Sequence, residues 1–250
     1  KGALGCIQSA WKFTAHSELA KATLVLDGAV PDKVRVIPGA VNTDIFTPGG
    51  GYYERGAAVL FVGRDAAEKG LSDLICAMHG LKAELWVVGH MGNEWHRRLA
   101  EHYDVSVRWI GKVPWRELPK LYQQARVFCL PSIPLVSNTD PYANWTEQFG
   151  QVLIEAMACG VPVITQNFGP MGDLIRPITP ELLLSPLEFV PDGQSGTEAI
   201  PSSDEIYRVL QYAEKRMWNR DLFMNRAKEF DYDEIIIPMW ESYLRSIEGE

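Results

Sequence analysis

The chain has 250 residues, 46% of them hydrophobic and 22% charged, an ordinary globular composition that excludes a disordered, collagen-like or coiled-coil protein. With 24 Lys and Arg against 32 Asp and Glu, the formal net charge of −8 removes any general electrostatic grip on nucleic acid or an anionic membrane and leaves only local basic pockets. The length fits one large domain, or one domain with part of another.

The first residue is Lys, and Lys1–Leu4 has neither the apolar core nor the cleavage site of a signal peptide, so the chain reads as cytoplasmic and its start as a cut end. Lys12–Ala15 predicts a lone strand and Ser17–Leu26 a helix, with Ser17 as N-cap and Glu18 in the first turn. One strand and one helix cannot make a core. The Pro- and Gly-rich stretch from Ile37 to Gly51 has no period and reads as a linker. Short apolar runs follow at Ala57–Val62, Glu84–Val88, Val105–Ile110, Val127–Leu130 and Val161–Ile164. They are apolar on both faces and bounded by Gly or Pro, as buried parallel strands are.

Between these runs, Leu71, Leu74, Ile75 and Met78 fall at helical spacing, as do Leu118, Leu121, Tyr122 and Ala125. The alternation from about residue 57 to 190 predicts an α/β fold, a doubly wound, Rossmann-like parallel sheet with helices on both faces. Pro131–Thr146, with three prolines, is too long and polar for an ordinary connection and is a candidate functional loop. Asp204–Glu250 reads as helices, ending on Trp240, Tyr243, Leu244 and Ile247 at helical spacing.

The four cysteines (Cys6, Cys76, Cys129, Cys159) form no C-x-x-C pair, and the last three lie in apolar surroundings as buried free thiols would in a reducing compartment. The longest apolar stretch, Phe149–Ile164, is broken by Gln151, Glu155, Gly160 and Pro162, so no membrane span is predicted. Asn144-Trp145-Thr146 spells a glycosylation acceptor but lacks a secretory signal to go with it.

In an open α/β sheet, ligands bind beyond the carboxyl ends of the strands. After the first run stands Gly63-Arg64-Asp65 with Glu68-Lys69-Gly70, where glycines permit close backbone approach and Arg64 and Lys69 suit a diphosphate. The plainer alternative is a surface loop with solvated charges. Gly89-His90-Met91-Gly92 and Gly111-Lys112-Val113 follow the next two runs and are weak signals alone, His90 reading first as an exposed loop residue.

The fourth place is the most informative. Glu147-Gln148-Phe149-Gly150 precedes a helix-like Gln151–Ala158, so Gly150 would sit at a helix N-terminus whose free N–H groups favour phosphate. Glu147 and Glu155 flank that anion site. Beside a diphosphate, carboxylates need neutral donors, and sugar hydroxyls fit. A Mg²⁺ held by these carboxylates is the alternative, although Arg64 and Lys69 already supply positive charge. For Glu155 the structural alternative is a polar position on a buried helix.

Four blocks in this order, Val36–Pro48, Leu60–Arg64 with Glu68–Gly70, Leu118–Ala125 with Val127–Ser132, and Glu147–Gly150 with Glu155–Val163, resemble the C-terminal half of retaining, family 4 type (group 1) glycosyltransferases of the GT-B fold. The resemblance runs from about Lys12 to the end. It implies a metal-independent enzyme of bacterial carbohydrate biosynthesis, needing no cofactor, that takes a nucleotide diphosphate sugar as donor and a sugar, lipid-linked or other glycan as acceptor. Carried over by position, Arg64 and Lys69 would stabilise the leaving diphosphate. Glu147 would hold donor-sugar hydroxyls with the backbone of Phe149 and Gly150, and Glu155 the ribose. Backbone near Lys112 and Val113 would meet the base, and Gly63 and Val152 complete the donor-binding set.

The resemblance also divides the chain: residues 1–48 as the remnant of an N-terminal acceptor domain plus linker, 49–230 as the donor-binding domain, and 231–250 as a helix crossing back to the N-terminal domain. Its apolar face (Ile235, Met239, Trp240, Tyr243) would then be partly uncovered, and the chain would bind donor without turning it over. Membrane association would be peripheral, through the part not present. Departures from the family pattern are Pro38–Asn42, where many members have Asn-Gly and Asp, Asp173 where Glu is common, and the long loop with Tyr142 and Trp145. A non-catalytic nucleotide-sugar-binding or scaffold domain and a GT-B nucleotide-sugar epimerase are the alternative readings.

Overall fold

The computed structural model describes Ile7 and residues 10–49, 58–64, 66–89, 91–134, 147–185, 190–192, 196–198 and 203–248. Cys6, Asp65, His90, Tyr142, Asn144 and Trp145, singled out above, lie outside the described residues.

Strand β1 (Phe13–Ala15) leads into helix α1 (Glu18–Leu26), started by Ser17, whose hydroxyl accepts the Ala20 N–H at 3.1 Å as expected. The region also holds what the sequence reading missed. After a 3₁₀ turn at Pro31–Lys33, Val34–Val36 forms strand β2, paired in parallel with β1 from Phe13↔Val34 to Ala15↔Val36. Ala15, Ala20, Ala29 and Val34 are buried together, so two strands and a helix do close a small core here. The chain then crosses into the larger unit, where Val41 and Phe46 are buried in the main core.

That unit is built on β3 (Ala58–Val62), β4 (Glu84–Val88), β5 (Val107–Gly111), β6 (Val127–Leu130), β7 (Val163–Gln166) and β8 (Leu183–Leu184). Their order in space is β5-β4-β3-β6-β7-β8 and every pairing is parallel. This is the predicted doubly wound sheet, with β5 and β7 each starting two residues later than the apolar runs suggested. Every residue of β3, β6 and β7 is buried, as it must be when helices cover both faces. Each large aliphatic or aromatic side chain buried there contributes roughly 1.5–3 kcal/mol.

The crossovers are α2 (Leu71–Ala77), α3 (Glu94–His102), α4 (Leu118–Gln124), α5 (Gln151–Ala158) and α6 (Gly169–Ile175). α3 starts at Asn93, whose side chain accepts the His96 N–H at 2.8 Å. A short antiparallel pair, β9 (Val190–Asp192) and β10 (Gly196–Glu198), precedes α7 (Ser203–Glu214) and α8 (Arg220–Lys228). α7 packs on α2 and α8 on α5. A π-helical turn at Tyr232–Ile236 then leads into α9 (Ile237–Glu248), where Tyr243 donates to the Phe13 carbonyl of β1 at 3.4 Å. Ile235 and Leu244 are exposed.

The chain enters and leaves the larger unit at one place. The Val41 N–H bonds the Phe230 carbonyl at 2.9 Å, the Tyr232 N–H bonds the Val41 carbonyl at 2.8 Å, and the Thr43 hydroxyl donates to the Asp231 carboxylate at 2.5 Å. Burial would raise the Asp231 carboxyl, but the hydrogen bonds from Thr43 and from the N–H groups of Glu234 and Asp233 hold it below its usual pKa.

Cys129 and Cys159 are buried and in no disulfide; burial pushes the Cys129 thiol well up. Cys76 departs from expectation, being only half-buried on α2 and interacting with Tyr103. Among the described residues, no helix is long and apolar enough to cross a membrane.

Candidate functional site

From β3 the chain runs outward through β4 to β5 and returns on the other side as β6, so the order reverses between β3 and β6. A switch of this kind forms a crevice beyond the carboxyl ends of the strands, where such sheets bind ligands.

At the end of β3 the Gly63 N–H still pairs with the Val88 carbonyl at 3.0 Å, and Gly89 passes so close that a Cβ on it would lie 2.1 Å from the Gly63 oxygen. With φ at +113°, Gly89 is a position only glycine fits. The loop then turns through a 3₁₀ segment, Ala67–Lys69, and is tied to the end of β6 by the Ile133 N–H on the Glu68 carbonyl at 2.9 Å. This carries Lys69 across the crevice.

Lys69 Nζ donates to Glu147 Oε2 at 2.5 Å, with only 12% and 17% of the two side chains exposed. Residues 78 apart thus form one charge pair beside α5. Arg64 points outward instead, 72% exposed, and pairs with Glu68 at 3.2 Å. Ser132, after β6, is fully buried and its hydroxyl has no hydrogen-bond partner among the described residues.

Gly150 is the residue before α5, held at φ +94°, and among the described residues no side chain caps the helix start. The leading N–H groups of α5 therefore present the positive end of a helix next to the Lys69–Glu147 pair. Phe149 is buried and turned away from that end: its ring meets Phe230 at 5.4 Å and lies against Gly39, where a Cβ would come within 2.6 Å of it. Gln151 Nε2 donates to the Ala40 carbonyl at 2.5 Å. The loop is thus anchored by its side chains to both chain crossings.

Glu155, on the same helix, is 4% exposed. Trp115 Nε1 donates to its Oε1 at 3.3 Å and the Tyr122 hydroxyl to its Oε2 at 3.2 Å. Burial raises the Glu155 carboxyl above its usual pKa, while the hydrogen bonds from Trp115, Tyr122 and Gln151 pull it back. Tyr122 is wholly buried and pushed far up, by desolvation first and by Glu155 second. Its hydroxyl also reaches the Val152 carbonyl at 3.3 Å. Lys112 is exposed and Val113 half-buried in the loop after β5, whose Trp115 joins it to α5.

Of the residues read from sequence, Lys69, Glu147 and the start of α5 converge, Glu155 lies further along that helix, and Arg64 stands at the outer edge of the same loop. Trp115, Gln151 and Ser132 were missed, and Tyr122 was read only as a core position. Trp115 carried a weak signal, an indole in an otherwise polar turn after Gly111. A cavity of about 600 Å³ lined by Lys12, Lys21, Lys33 and Arg35 with Ser242 and Tyr243 lies away from these residues, between the β1–α1–β2 unit and α9. Among the described residues, no group of three or more His, Cys, Asp and Glu is placed to hold a metal ion.

A sequence profile of the Glycosyl transferases group 1 matches residues 46–186, more than half of the chain. The D-inositol 3-phosphate glycosyltransferase of Acidothermus cellulolyticus is 29% identical over 182 residues, covering 63% of this chain and 38% of that protein. Among solved structures, sucrose-phosphate synthase from Thermosynechococcus elongatus superposes with a TM-score of 0.75 at 24% identity, covering 99% of this chain and 61% of that one. Anabaena HepE in complex with UDP-glucose superposes at 0.70 with 17% identity, covering 98% of this chain and 65% of that one. The chain therefore spans less than two thirds of the length of each of these proteins.

Proposed function

The chain belongs to the glycosyl transferases of group 1 and has the fold of the C-terminal half of a GT-B enzyme, and from that premise we propose that it is the part that binds the nucleotide diphosphate sugar. The reaction is transfer of the sugar to a hydroxyl of a sugar, lipid-linked or other glycan acceptor, with retention of anomeric configuration. The observation that carries the reading is the Lys69–Glu147 pair at the switch point, beside the start of α5, the helix that carries the buried Glu155.

In this reading the bond between the anomeric carbon and the diphosphate oxygen breaks, and its electron pair leaves with the diphosphate. Lys69, Arg64 and the α5 N-terminus neutralise the charge that develops there. Glu147 accepts hydrogen bonds from the donor sugar, the backbone of Phe149 and Gly150 lies alongside, and Glu155 accepts from the ribose. The loop at Gly111–Val113 meets the base, and Gly63 and Val152 line the donor. The acceptor oxygen takes the anomeric carbon and gives up its proton to the departing diphosphate oxygen. No metal ion enters this scheme, because Lys69 supplies positive charge at the diphosphate and the exposed Arg64 joins it by turning inward from Glu68. Two of the three similar proteins point the same way: one is a named glycosyltransferase and another was solved with UDP-glucose.

Residues 1–48 are in this scheme the remnant of an acceptor-side domain plus the linker, whose Val41 and Phe46 pack into the donor-binding core, and 231–250 a helix that returns to that domain, so the 250-residue chain binds donor without transferring sugar. Titration calorimetry with UDP, GDP and ADP tests the site. Loss of diphosphate binding in Arg64→Ala/Lys69→Ala and weaker nucleoside binding in Glu155→Ala are expected; unchanged affinities in both would overturn the residue roles. Sugar transfer by the purified chain alone would refute the division of labour.

A further inference from the structure

The ribose role of Glu155 leaves open what keeps a buried carboxylate aimed at a ligand. Its Oε2 is held from the core side by Tyr122, which has no exposed surface, and its Oε1 by Trp115, which is 44% exposed. Trp115 is itself fixed. It opens the 3₁₀ turn Trp115–Glu117, and its ring lies 5.2 Å from the ring of Phe46, a fully buried residue of the main core. Phe46 lies 6.1 Å from Tyr122, so the three aromatic rings form a cluster around one carboxylate.

The consequence is geometric. A carboxylate accepts up to about four hydrogen bonds, and donors on each oxygen from opposite sides fix its plane while leaving acceptor capacity for a ligand hydroxyl. The indole also stands two residues beyond Val113, so nearly half of its surface is exposed next to the loop assigned to the base. Neither feature is needed by the core: an exposed Trp that served packing alone would have no reason to spend its N–H on a buried glutamate 40 residues away.

We propose that Trp115 is a positioning residue for the nucleoside, its indole N–H fixing Glu155 for the ribose hydroxyls while the exposed part of its ring lines the same subsite. This rests on the ribose assignment of Glu155 and extends it to a residue outside the motifs that suggested it.

The test is calorimetric titration of the wild-type chain, Trp115→Phe and Trp115→Leu with UDP, GDP and ADP, with the 2′- and 3′-deoxy forms of the nucleotide that binds best, and with inorganic pyrophosphate. Both variants lack the donor; Phe keeps a ring against Phe46. Wild type should favour the ribonucleotide over a deoxy form by about tenfold, the worth of a hydrogen bond to a charged group. In both variants that preference should shrink toward unity, through a loss on the ribonucleotide alone, with pyrophosphate binding unchanged. Variants that discriminate as wild type does, or bind the ribonucleotide more tightly, overturn the proposal. Failure of the underlying reading looks different: wild type itself would bind ribo and deoxy forms alike, or bind no nucleotide.

Discussion

Replacing Lys69 by Met and Glu147 by Gln, singly and together, separates what the pair does for the fold from what it does for a ligand. Breaking a buried ion pair costs about 3–5 kcal/mol because one charge is stranded, and an exposed pair is worth about 0–1 kcal/mol. With 12% and 17% of the side chains exposed, each single substitution should fall between, at about 2 kcal/mol. For a chain of this length that is a fall of about 6 °C in Tm. The double variant strands no charge and should regain most of it. Nucleotide binding should behave otherwise. Lys69→Met should weaken UDP, GDP or ADP about tenfold or more, the double variant should not recover, and Glu147→Gln alone should leave the free diphosphate bound as before. Thermal melting by circular dichroism and calorimetric titration read the two effects. A double variant as unstable as the sum of the singles would refute the pairing argument, and one that regains diphosphate affinity would refute the role of Lys69.

Gly39→Ala should push a methyl group into the Phe149 ring and Gln151, 2.6 and 2.7 Å from the new Cβ; we expect a loss of about 1–3 kcal/mol and weaker nucleotide-sugar binding, and intact binding would show the loop is not anchored there. Ser132→Ala removes a buried hydroxyl that makes no hydrogen bond among the described residues, so denaturant unfolding should show unchanged or slightly greater stability, whereas a clear loss would mean the hydroxyl is engaged. Glu155 has its pKa raised by burial, so the folded chain holds that proton more tightly than the unfolded one. The resulting stability is present below the ordinary carboxylate range and lost as pH rises through the raised value. Wild type should therefore lose stability relative to Glu155→Gln on raising the pH through that window, and a pH-independent difference would contradict it.

The central sheet was legible because strands buried on both faces have no freedom of pattern: Leu60, Phe61, Phe128 and Ile164 can only be core. Glu147, Gly150 and Glu155 were legible because one helix start fixes their spacing. β2 was not, since three residues of alternating Val34-Arg35-Val36 are too short for periodicity to register. Helix α3 was never singled out, because its sequence is mostly charged and buries only His96 and Ala100. The contacts that shape the site are longer-range still. Lys69 meets Glu147, Trp115 meets Glu155, and Phe149 meets Phe230 only once the sheet order brings separate crossovers together. Local pattern carries no information about such pairs.

The junction at Val41 and Asp231 has a consequence for rearranging the molecule. The polypeptide enters and exits the sheet-bearing unit within the width of one β-bridge, roughly 5 Å. A segment with neighbouring ends behaves as a cassette: it can be grafted into a host at a single surface loop without stretching either protein. Exchange between relatives has one condition. Thr43 and Asp231 close the cassette together, so both seams must come from the same parent.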